Sequence, residues 1–189
     1  MLSELRQAQQ AQTRHRLVAA AHQCFSDRGL AKTTIDDIVK RAGTSRATFY
    51  LHFKGKPQVL AASWDEIELP RVNRLFVDHD AGADFSYGAT RVWIERLLTF
   101  WEANPRMALN ANQIIASDDE LLRWGASNVL AVAQHMPNLV ARLGANAQSW
   151  IVLRVTQLER LMYFWVTRNV PLSREELLEA LSREWALDG

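Results

Sequence analysis

Hydroxyl-bearing, basic and aromatic side chains are concentrated between Arg41 and Lys56, in the run RAGTSRATFYLHFKGK. Arginine can donate two hydrogen bonds to a guanine edge, and threonine can offer a base its hydroxyl or its methyl group. Tyrosine, histidine and lysine suit phosphate oxygens. A compact corner of helical core is a second interpretation of the run. A phosphate-binding loop is excluded, because it would need several glycines after a strand, and Gly43 and Gly55 do not meet that condition.

This run is predicted to lie on short helices, whose ends are marked by glycines and whose starts are marked by N-cap residues. A first helix is predicted to end near Gly29. Thr34 is predicted to cap a second helix that ends at Gly43, and Ser45 to cap a third that runs to about Phe53. The second and third helices are too short to be stable alone, so they must pack on the first. Three such helices, with a tight glycine turn between the last two, predict a helix-turn-helix unit.

In a helix-turn-helix unit the third helix enters the major groove, and its N-terminal residues approach the base edges. We expect Arg46 and Thr48 to contact bases, although a merely solvated Arg46 is the alternative. Phe49 and Phe53 are predicted to be core residues. The predicted DNA-binding residues are Thr44, Ser45, Arg46 and Thr48 at bases, Tyr50, His52, Lys54 and Lys56 at phosphates beside the third and fourth helices, and Thr33 and Thr34 on the opposite backbone.

The remaining sequence also shows helical spacing, and no convincing strand pattern occurs anywhere. The fold class is therefore predicted to be all-α. Pro57 is predicted to open a fourth helix that runs to about Pro70 or somewhat beyond, followed by a loop over Asp78–Asp84. Further helices are predicted at roughly 86–103, at 105–116, from a capping box at Ser117–Glu120 to near Pro137, at 147–168, and after Ser173.

Charge is distributed unevenly along the 189 residues, although the net charge is only +1. Residues 1–60 hold ten Lys and Arg against four Asp and Glu, whereas residues 61–189 hold twelve against seventeen. All seven tryptophans lie in the second part. A basic N-terminal segment followed by an acidic, Trp-rich segment indicates two tasks, the first directed at a polyanion.

Three parts of the sequence together resemble the DNA-binding signature of TetR-type transcriptional regulators: Thr34–Ile38, Ala42–Phe53 and Lys56. The resemblance covers roughly residues 12–62; Thr44 and Ala47 depart from the usual residues, so the operator cannot be taken from a relative. It implies an all-helical homodimer in which a small molecule is sensed by a variable C-terminal domain. Members are mostly repressors that bind palindromic operators and release them on ligand binding. We therefore predict a helix-turn-helix domain over residues 1–56, with a mobile leader over about 1–12, and a ligand-binding and dimerisation domain over 57–189.

Two rows of apolar side chains follow the helix predicted at 147–168. The first row has heptad-like spacing, and the second lies on a neighbouring face and includes Trp150, Leu153, Leu161 and Phe164. One row can pack on its own domain while the other meets a partner, although both can also be internal core. The predicted dimer-interface residues are Ile151, Val155, Leu158, Met162, Trp165, Leu177, Leu178, Leu181 and Trp185, which would form a four-helix bundle across a two-fold axis.

The middle helices contain large apolar residues with scattered polar groups, as a pocket for a small, largely hydrophobic ligand requires. The alternative is that these side chains only fill a helical core. The predicted ligand-binding residues are Trp93, Leu97, Phe100, Trp101, Met107, Asn110, Gln113, Ile114, Trp124, Arg154 and Gln157.

No cofactor and no catalytic activity are predicted, since the sequence has no nucleophile elbow, paired-carboxylate motif or dinucleotide fingerprint. Asp78-His79-Asp80 contains metal-ligand types, but adjacent loop residues do not converge on one ion, so no metal site is predicted. The single cysteine, Cys24, and the lack of a long apolar run lead us to expect a cytoplasmic protein without membrane association. The competing functional class is a helical small-molecule carrier or scaffold whose basic domain binds protein rather than DNA.

Overall fold

The structure, a computed structural model, describes residues 2–115, 119–167 and 170–187. All regular elements within these ranges are helical, which confirms the all-α prediction. The first five helices are α1 (Leu2–Lys32), α2 (Ile35–Ala42), α3 (Arg46–His52), α4 (Lys56–Ser63) and α5 (Leu69–Ala81), with a π-helical turn at Trp64–Glu68. The others are α6 (Tyr87–Ala103), α7 (Pro105–Ile115), α8 (Asp119–Ala131), α9 (Pro137–Leu143), α10 (Ala147–Val166) and α11 (Arg174–Trp185), with 3-10 turns at Val132–His135 and Gly144–Asn146.

Two compact units divide the chain. The first, here the head unit, extends to Leu69 and includes Asn110–Leu122. The second, here the body unit, comprises Pro70–Leu109 and the residues from Arg123 onwards. No helix in the described ranges is long and apolar enough to cross a membrane.

The predicted capping signals of the head unit are confirmed. Thr34 and Asp37 form a reciprocal capping box at the start of α2, and Gly43 ends that helix in the left-handed conformation, with φ of 64°. The Ser45 side chain accepts a hydrogen bond from the Thr48 N–H and caps α3. At Gly29, φ is 77° and ψ is 166°, so α1 is interrupted where the sequence predicted its end. The leader predicted as mobile over 1–12 forms, from Leu2 onwards, the first turns of α1.

Apolar burial holds the short helices on α1. Leu17, Ala21 and Phe25 of α1 are buried together with Ile38 of α2 and Phe49 of α3. The leucine, isoleucine and phenylalanine side chains among them each contribute about 1.5–3 kcal/mol when fully removed from water. Because α2 and α3 have eight and seven residues, this burial, rather than helix propensity, stabilises them.

A π-helical turn precedes Pro70 in the helical segment that follows α4. The Leu69 N–H donates to the Trp64 carbonyl, five residues back, which widens the helix by one residue. Pro70 has no N–H, and its ring would clash with the carbonyl four residues earlier in a regular helix. The wider turn accommodates the proline, and the helix continues to Ala81.

The prediction of a loop over Asp78–Asp84 is wrong for its first half. Helix α5 continues through Asp78, His79 and Asp80. Asp78 is held there by an i,i+4 ion pair with Arg74, at 2.7 Å. Asp80 is buried and accepts hydrogen bonds from the N–H groups of Asn138 and Leu139, so it caps α9 from a position 58 residues earlier. The capping box predicted at Ser117–Glu120 begins outside the described residues.

An aromatic cluster forms the core of the body unit. The His79 ring stacks on Trp93 with centroids 4.4 Å apart and planes within 2°, and Phe85 meets it edge-on. Trp93 also contacts Trp185 of α11 at 5.0 Å. This burial lowers the pKa of His79 to about 4, although the Asp80 and Asp84 carboxylates act in the opposite direction. His79 is therefore a neutral core residue at pH 7.

We expect the body unit to lose stability as the pH falls from about 6.5 to about 4. Over this window the unfolded chain binds a proton at His79 that the folded chain excludes, so protonation favours unfolding. The loss is at most about 3 kcal/mol, at 1.36 kcal/mol per pKa unit, and is constant at lower pH. Urea denaturation at several pH values measures it. His79→Phe should remove this part of the pH dependence, and an identical slope in that variant would contradict the assignment.

Candidate nucleic-acid interface

Helix α3 is seven residues long and has a buried face and an exposed face. Phe49 and Phe53 are buried and contact each other at 5.7 Å, which confirms the core prediction for both rings. The exposed face carries Ser45, Arg46 and Tyr50. Gly43 makes the turn that separates this face from α2. The three side chains therefore lie together on one exposed surface, as the reading face of a recognition helix must.

Arg46, the first residue of α3, forms an ion pair with Asp36 of α2. Its Nη1 atom donates to Oδ1 and Oδ2 of Asp36 at 3.0 and 2.9 Å. Hydrogen bonding to Asp36, its charge, and a hydrogen bond to Tyr50 raise the pKa of Arg46. The side chains of Arg46 and Asp36 are 57% and 66% exposed, so the pair lies on the surface rather than in the core.

The two hydroxyls predicted to contact bases interact with each other. The oxygens of Ser45 and Thr48 are 2.9 Å apart, and the Ser45 oxygen also accepts the Thr48 N–H. Thr44 and Thr48 are half-buried, whereas Ser45 is exposed. The hydroxyl pair thus closes the first turn of α3. A contact from either hydroxyl to a base stays a prediction.

Three side chains predicted to contact phosphates form hydrogen bonds within the head unit, and the complete burial of Thr33 contradicts the prediction for that residue. Thr33 is completely buried, and its hydroxyl donates to the carbonyls of Cys24 and Gly29. The Thr34 hydroxyl is used in the capping box of α2. The Lys56 Nζ donates to the carbonyls of Leu30 and Thr33 at 2.9 and 2.8 Å. Thr33 and Lys56 thus bond backbone carbonyls near the end of α1 that would otherwise lack partners, whereas Thr34 caps α2.

The other predicted phosphate-binding side chains reach the surface. Tyr50 is exposed and His52 is half-buried. The Lys54 side chain is 82% exposed, and its Nζ lies 3.6 Å from the Glu120 carboxylate in the same unit. Of the two lysines beside the start of α4, Lys54 is therefore the one that can reach a phosphate.

Two surface features of the head unit were missed by the sequence analysis. Leu51 is 78% exposed on α3, next to Tyr50. The signal for it was available, since residues 47 and 51, four apart, lie on the side of the helix opposite Phe49. The second feature is the ion pair between Asp36 and Arg46. These residues are ten apart and belong to two different helices, so the pair has no local sequence signal.

The residues predicted to bind a ligand are mostly core residues. Trp93, Leu97, Trp101, Met107 and Ile114 are buried, and Asn110 is buried with them, whereas Phe100 and Trp124 are half-buried. Asn110, Gln113 and Ile114 belong to the head unit, and the other predicted residues belong to the body unit. Gln113 and Gln157 are exposed. Arg154 stacks over Trp150 at 3.7 Å and donates to the Glu184 carbonyl. Ligand binding by this set stays a prediction.

A cavity of about 270 Å³ lies within the body unit between α5 and α6. Trp93 is the residue that this cavity shares with the predicted ligand-binding set. The Trp93 Nε1 atom is buried without a hydrogen-bond partner in the described part of the chain. The lining residues are Leu75, Asp78, His79, Gly82, Asp84, Ala89, Val92, Trp93 and Arg96.

The predicted dimer surface is corrected. The first row of α10 is buried inside the chain, together with the apolar face of α11: Ile151, Val155, Leu158, Met162, Leu177, Leu178, Leu181 and Trp185. Trp165 is half-buried. Side chains that already pack within the body unit cannot form a second contact surface. The second row remains on the outside, with Leu153 and Phe164 exposed and Trp150 and Leu161 half-buried.

Asp78, His79 and Asp80 do not converge on one point. Asp78 pairs with Arg74, His79 stacks on Trp93, and Asp80 caps α9. Within the described residues, no group of three or more His, Cys, Asp or Glu side chains could hold a metal ion.

Comparison with known proteins places residues 17–63 in the family described as bacterial regulatory proteins, tetR family. The uncharacterized HTH-type transcriptional regulator YvdT of Bacillus subtilis is 45% identical over 47 residues, 25% of this chain and 24% of that protein. The HTH-type transcriptional regulator TtgR of Pseudomonas putida is 38% identical over 56 residues, 30% of this chain and 27% of that protein. The chain thus spans about a quarter of the length of these relatives.

Solved structures extend the similarity of fold to nearly the whole chain. FadR from Bacillus subtilis, in complex with stearoyl-CoA, superposes with a TM-score of 0.65 at 14% identity over 92% of this chain and 97% of that one. SmeT, the repressor of the Stenotrophomonas maltophilia multidrug efflux pump SmeDEF, gives 0.56 at 22% identity over 93% and 91%. At these identities the superpositions show a shared fold.

Lys56 and Lys54 should differ in their effect on stability. Lys56→Met should lower the free energy of unfolding by about 1–3 kcal/mol, because the carbonyls of Leu30 and Thr33 lose their donor. Lys54→Met, the matched control, should change it by less than about 0.5 kcal/mol, since its pair with Glu120 is exposed. Urea denaturation at one protein concentration makes the comparison, and equal losses would contradict it.

Proposed function

We propose that the chain is a DNA-binding transcriptional regulator of the tetR family of bacterial regulatory proteins, since residues 17–63 match the model of that family. It acts as a dimer on a palindromic operator, as a repressor that a small hydrophobic ligand releases. The observation that supports this best is the exposed surface of α3, where Arg46 and Tyr50 reach solvent while Phe49 and Phe53 are buried. Residues 1–56 carry the DNA-binding function, and residues 57–189 carry ligand binding and dimerisation.

Arg46 is the residue that we assign to base reading, because the guanidinium can bond the O6 and N7 atoms of guanine. Tyr50, His52 and Lys54 fix the register of α3 through phosphates. These contacts are too few for tight and specific binding by one head unit. Two recognition helices separated by one turn of DNA (~34 Å), or a multiple of it, read a palindrome and double the number of contacts.

The outer row of α10 is the dimer surface that we propose in place of the buried first row. Leu153, Leu161 and Phe164 lie one helical turn or two apart on the same face, and Arg160 extends over the Tyr163 and Phe164 rings. Leu153 is 55% exposed in the single chain. An apolar helix face is favourable when a second copy covers it, because a two-fold axis brings the same row against itself.

Release from DNA requires a ligand that prefers the DNA-incompetent arrangement of the dimer, since equal affinity for both arrangements would shift nothing. Two solved structures with this fold support a hydrophobic ligand in general terms: one is a FadR bound to stearoyl-CoA, and the other represses a multidrug efflux pump. The cavity beside Trp93 and His79 is a candidate position in the body unit. Its lining combines Trp93, His79 and apolar residues with three charged side chains, Asp78, Asp84 and Arg96.

Selection of bound sequences from random duplex DNA should recover a palindrome. Affinity for the recovered duplex should fall as salt rises, with a slope of about −0.9 per phosphate contact. Arg46→Ala should weaken binding by about 1–3 kcal/mol. Arg123→Ala is the matched control, because it removes an exposed arginine of the body unit. Fluorescence anisotropy measures both. If the wild-type chain bound no duplex in a salt-sensitive manner, the carrier or scaffold alternative would replace the regulator.

A charge on the outer row of α10 should separate the dimer. Leu153→Glu should shift the molecule to a monomer in sedimentation velocity, because a carboxylate would be buried without a partner in the interface. Leu122→Glu is the matched control, since Leu122 is 54% exposed, close to the 55% of Leu153. A dimer that persists in the Leu153 variant would show that another surface is used.

A further inference from the structure

An acidic side chain lies directly against the arginine that we assign to base reading. Asp36 belongs to the first turn of α2, and its carboxylate accepts two hydrogen bonds from Nη1 of Arg46. Both side chains are more than half exposed. A carboxylate at this position is costly for a protein that binds a polyanion, because it repels the phosphates that the surrounding cations attract.

Asp36 is not required for the capping of α2. The neighbouring Asp37 performs that task, since it accepts hydrogen bonds from the Thr34 backbone and hydroxyl, and it also pairs with Arg28. Asp36 is at the N-terminus of the same helix, where a free N-terminus would attract phosphate. The orientation of its carboxylate toward Arg46 therefore calls for an explanation on the DNA-binding surface.

The geometry of the pair leaves part of the guanidinium available. Both hydrogen bonds to Asp36 come from Nη1, whereas a guanidinium carries five N–H donors in a fork. The remaining donors can bond a guanine edge while the ion pair persists. The charge of Arg46, in contrast, is balanced by Asp36, so that Arg46 adds little to the general attraction of phosphates.

We propose that Asp36 is a specificity-determining residue, which holds Arg46 for base reading and limits its attraction to phosphates of unrelated DNA. The inference rests on the proposed DNA-binding function. It adds a carboxylate whose effect is to weaken binding to DNA of unrelated sequence. Specific duplexes gain hydrogen bonds from the held arginine, whereas unrelated duplexes offer it only phosphates. Asp36 thus increases the ratio of specific to non-specific affinity and reduces the absolute affinity for DNA.

Asp36→Asn tests the proposal on the full-length protein. For a shuffled duplex, affinity at low salt should rise about five-fold, and the plot of log affinity against log salt should steepen by about 0.9, as for one additional phosphate contact. For the duplex recovered by selection, affinity should change less than about two-fold, because the base contact already exists. Fluorescence anisotropy over a range of salt concentrations gives both values.

Asp27→Asn is the matched control. It makes the same change of charge in the same unit, but Asp27 pairs with Arg41, at 2.9 Å, rather than with the base-reading arginine. The affinity ratio between the two duplexes should stay unchanged in this variant. The proposal would be overturned if Asp36→Asn changed the affinity for both duplexes equally, or if Asp27→Asn lowered selectivity as much. Asp36 would then contribute only its negative charge to the net charge of the surface.

A measurement without DNA checks the restraint itself. Phenylglyoxal modifies accessible arginines, and peptide mass spectrometry can follow Arg46 with Arg41 as an internal reference. The rate at Arg46 should rise several-fold in Asp36→Asn, and an unchanged rate would show that Asp36 does not hold the arginine. Absence of DNA binding by the wild-type chain would instead reject the proposed function, whatever the modification rate, so that the two failures are distinguishable.

Discussion

Burial of Phe49 is the interaction on which the exposed face of α3 depends. A helix of seven residues loses more conformational entropy on folding than its few internal hydrogen bonds return, so α3 exists because its aromatic face is removed from water. The same burial fixes the rotation of α3 about its own axis. With Phe49 and Phe53 buried, Arg46 and Tyr50 remain exposed at the edge of the buried face, and residues 47 and 51 lie opposite Phe49.

The contacts around Lys56 extend this constraint to the ends of three helices. Its ammonium bonds the carbonyls of Leu30 and Thr33, while the Thr33 hydroxyl bonds those of Cys24 and Gly29. The end of α1, the entry to α2 and the start of α4 are thereby joined through buried or half-buried hydrogen bonds. A basic residue of the head unit can thus stabilise the fold rather than bind a ligand, and residue type alone does not separate the two roles.

Local signals in the sequence were sufficient to predict the caps and the turn of the head unit. They were insufficient to predict contacts between residues far apart in the sequence. Thr34, Gly43 and Ser45 act within four residues of their own positions, so the capping and turn could be predicted. Lys56 and Asp80 act on backbone groups 23 to 59 residues away, which no periodicity reveals. The heptad-like row of α10 identified an amphipathic helix correctly. It could not indicate which partner covers the row, because the spacing is the same for a core and for an interface.

The charge of the N-terminal segment also depends on contacts that the sequence does not reveal. Its excess of Lys and Arg indicates a polyanion partner, but Arg28, Arg41 and Arg46 each pair with an aspartate of the same unit. The positive charge that unrelated DNA experiences is therefore smaller than the count of basic residues suggests. A genome offers roughly 10⁶–10⁹ competing sites, so the ratio of specific to non-specific affinity governs occupancy more than affinity does. A DNA-binding surface that balances its arginines with carboxylates gives up general attraction and retains directional hydrogen bonds, and this exchange favours selectivity.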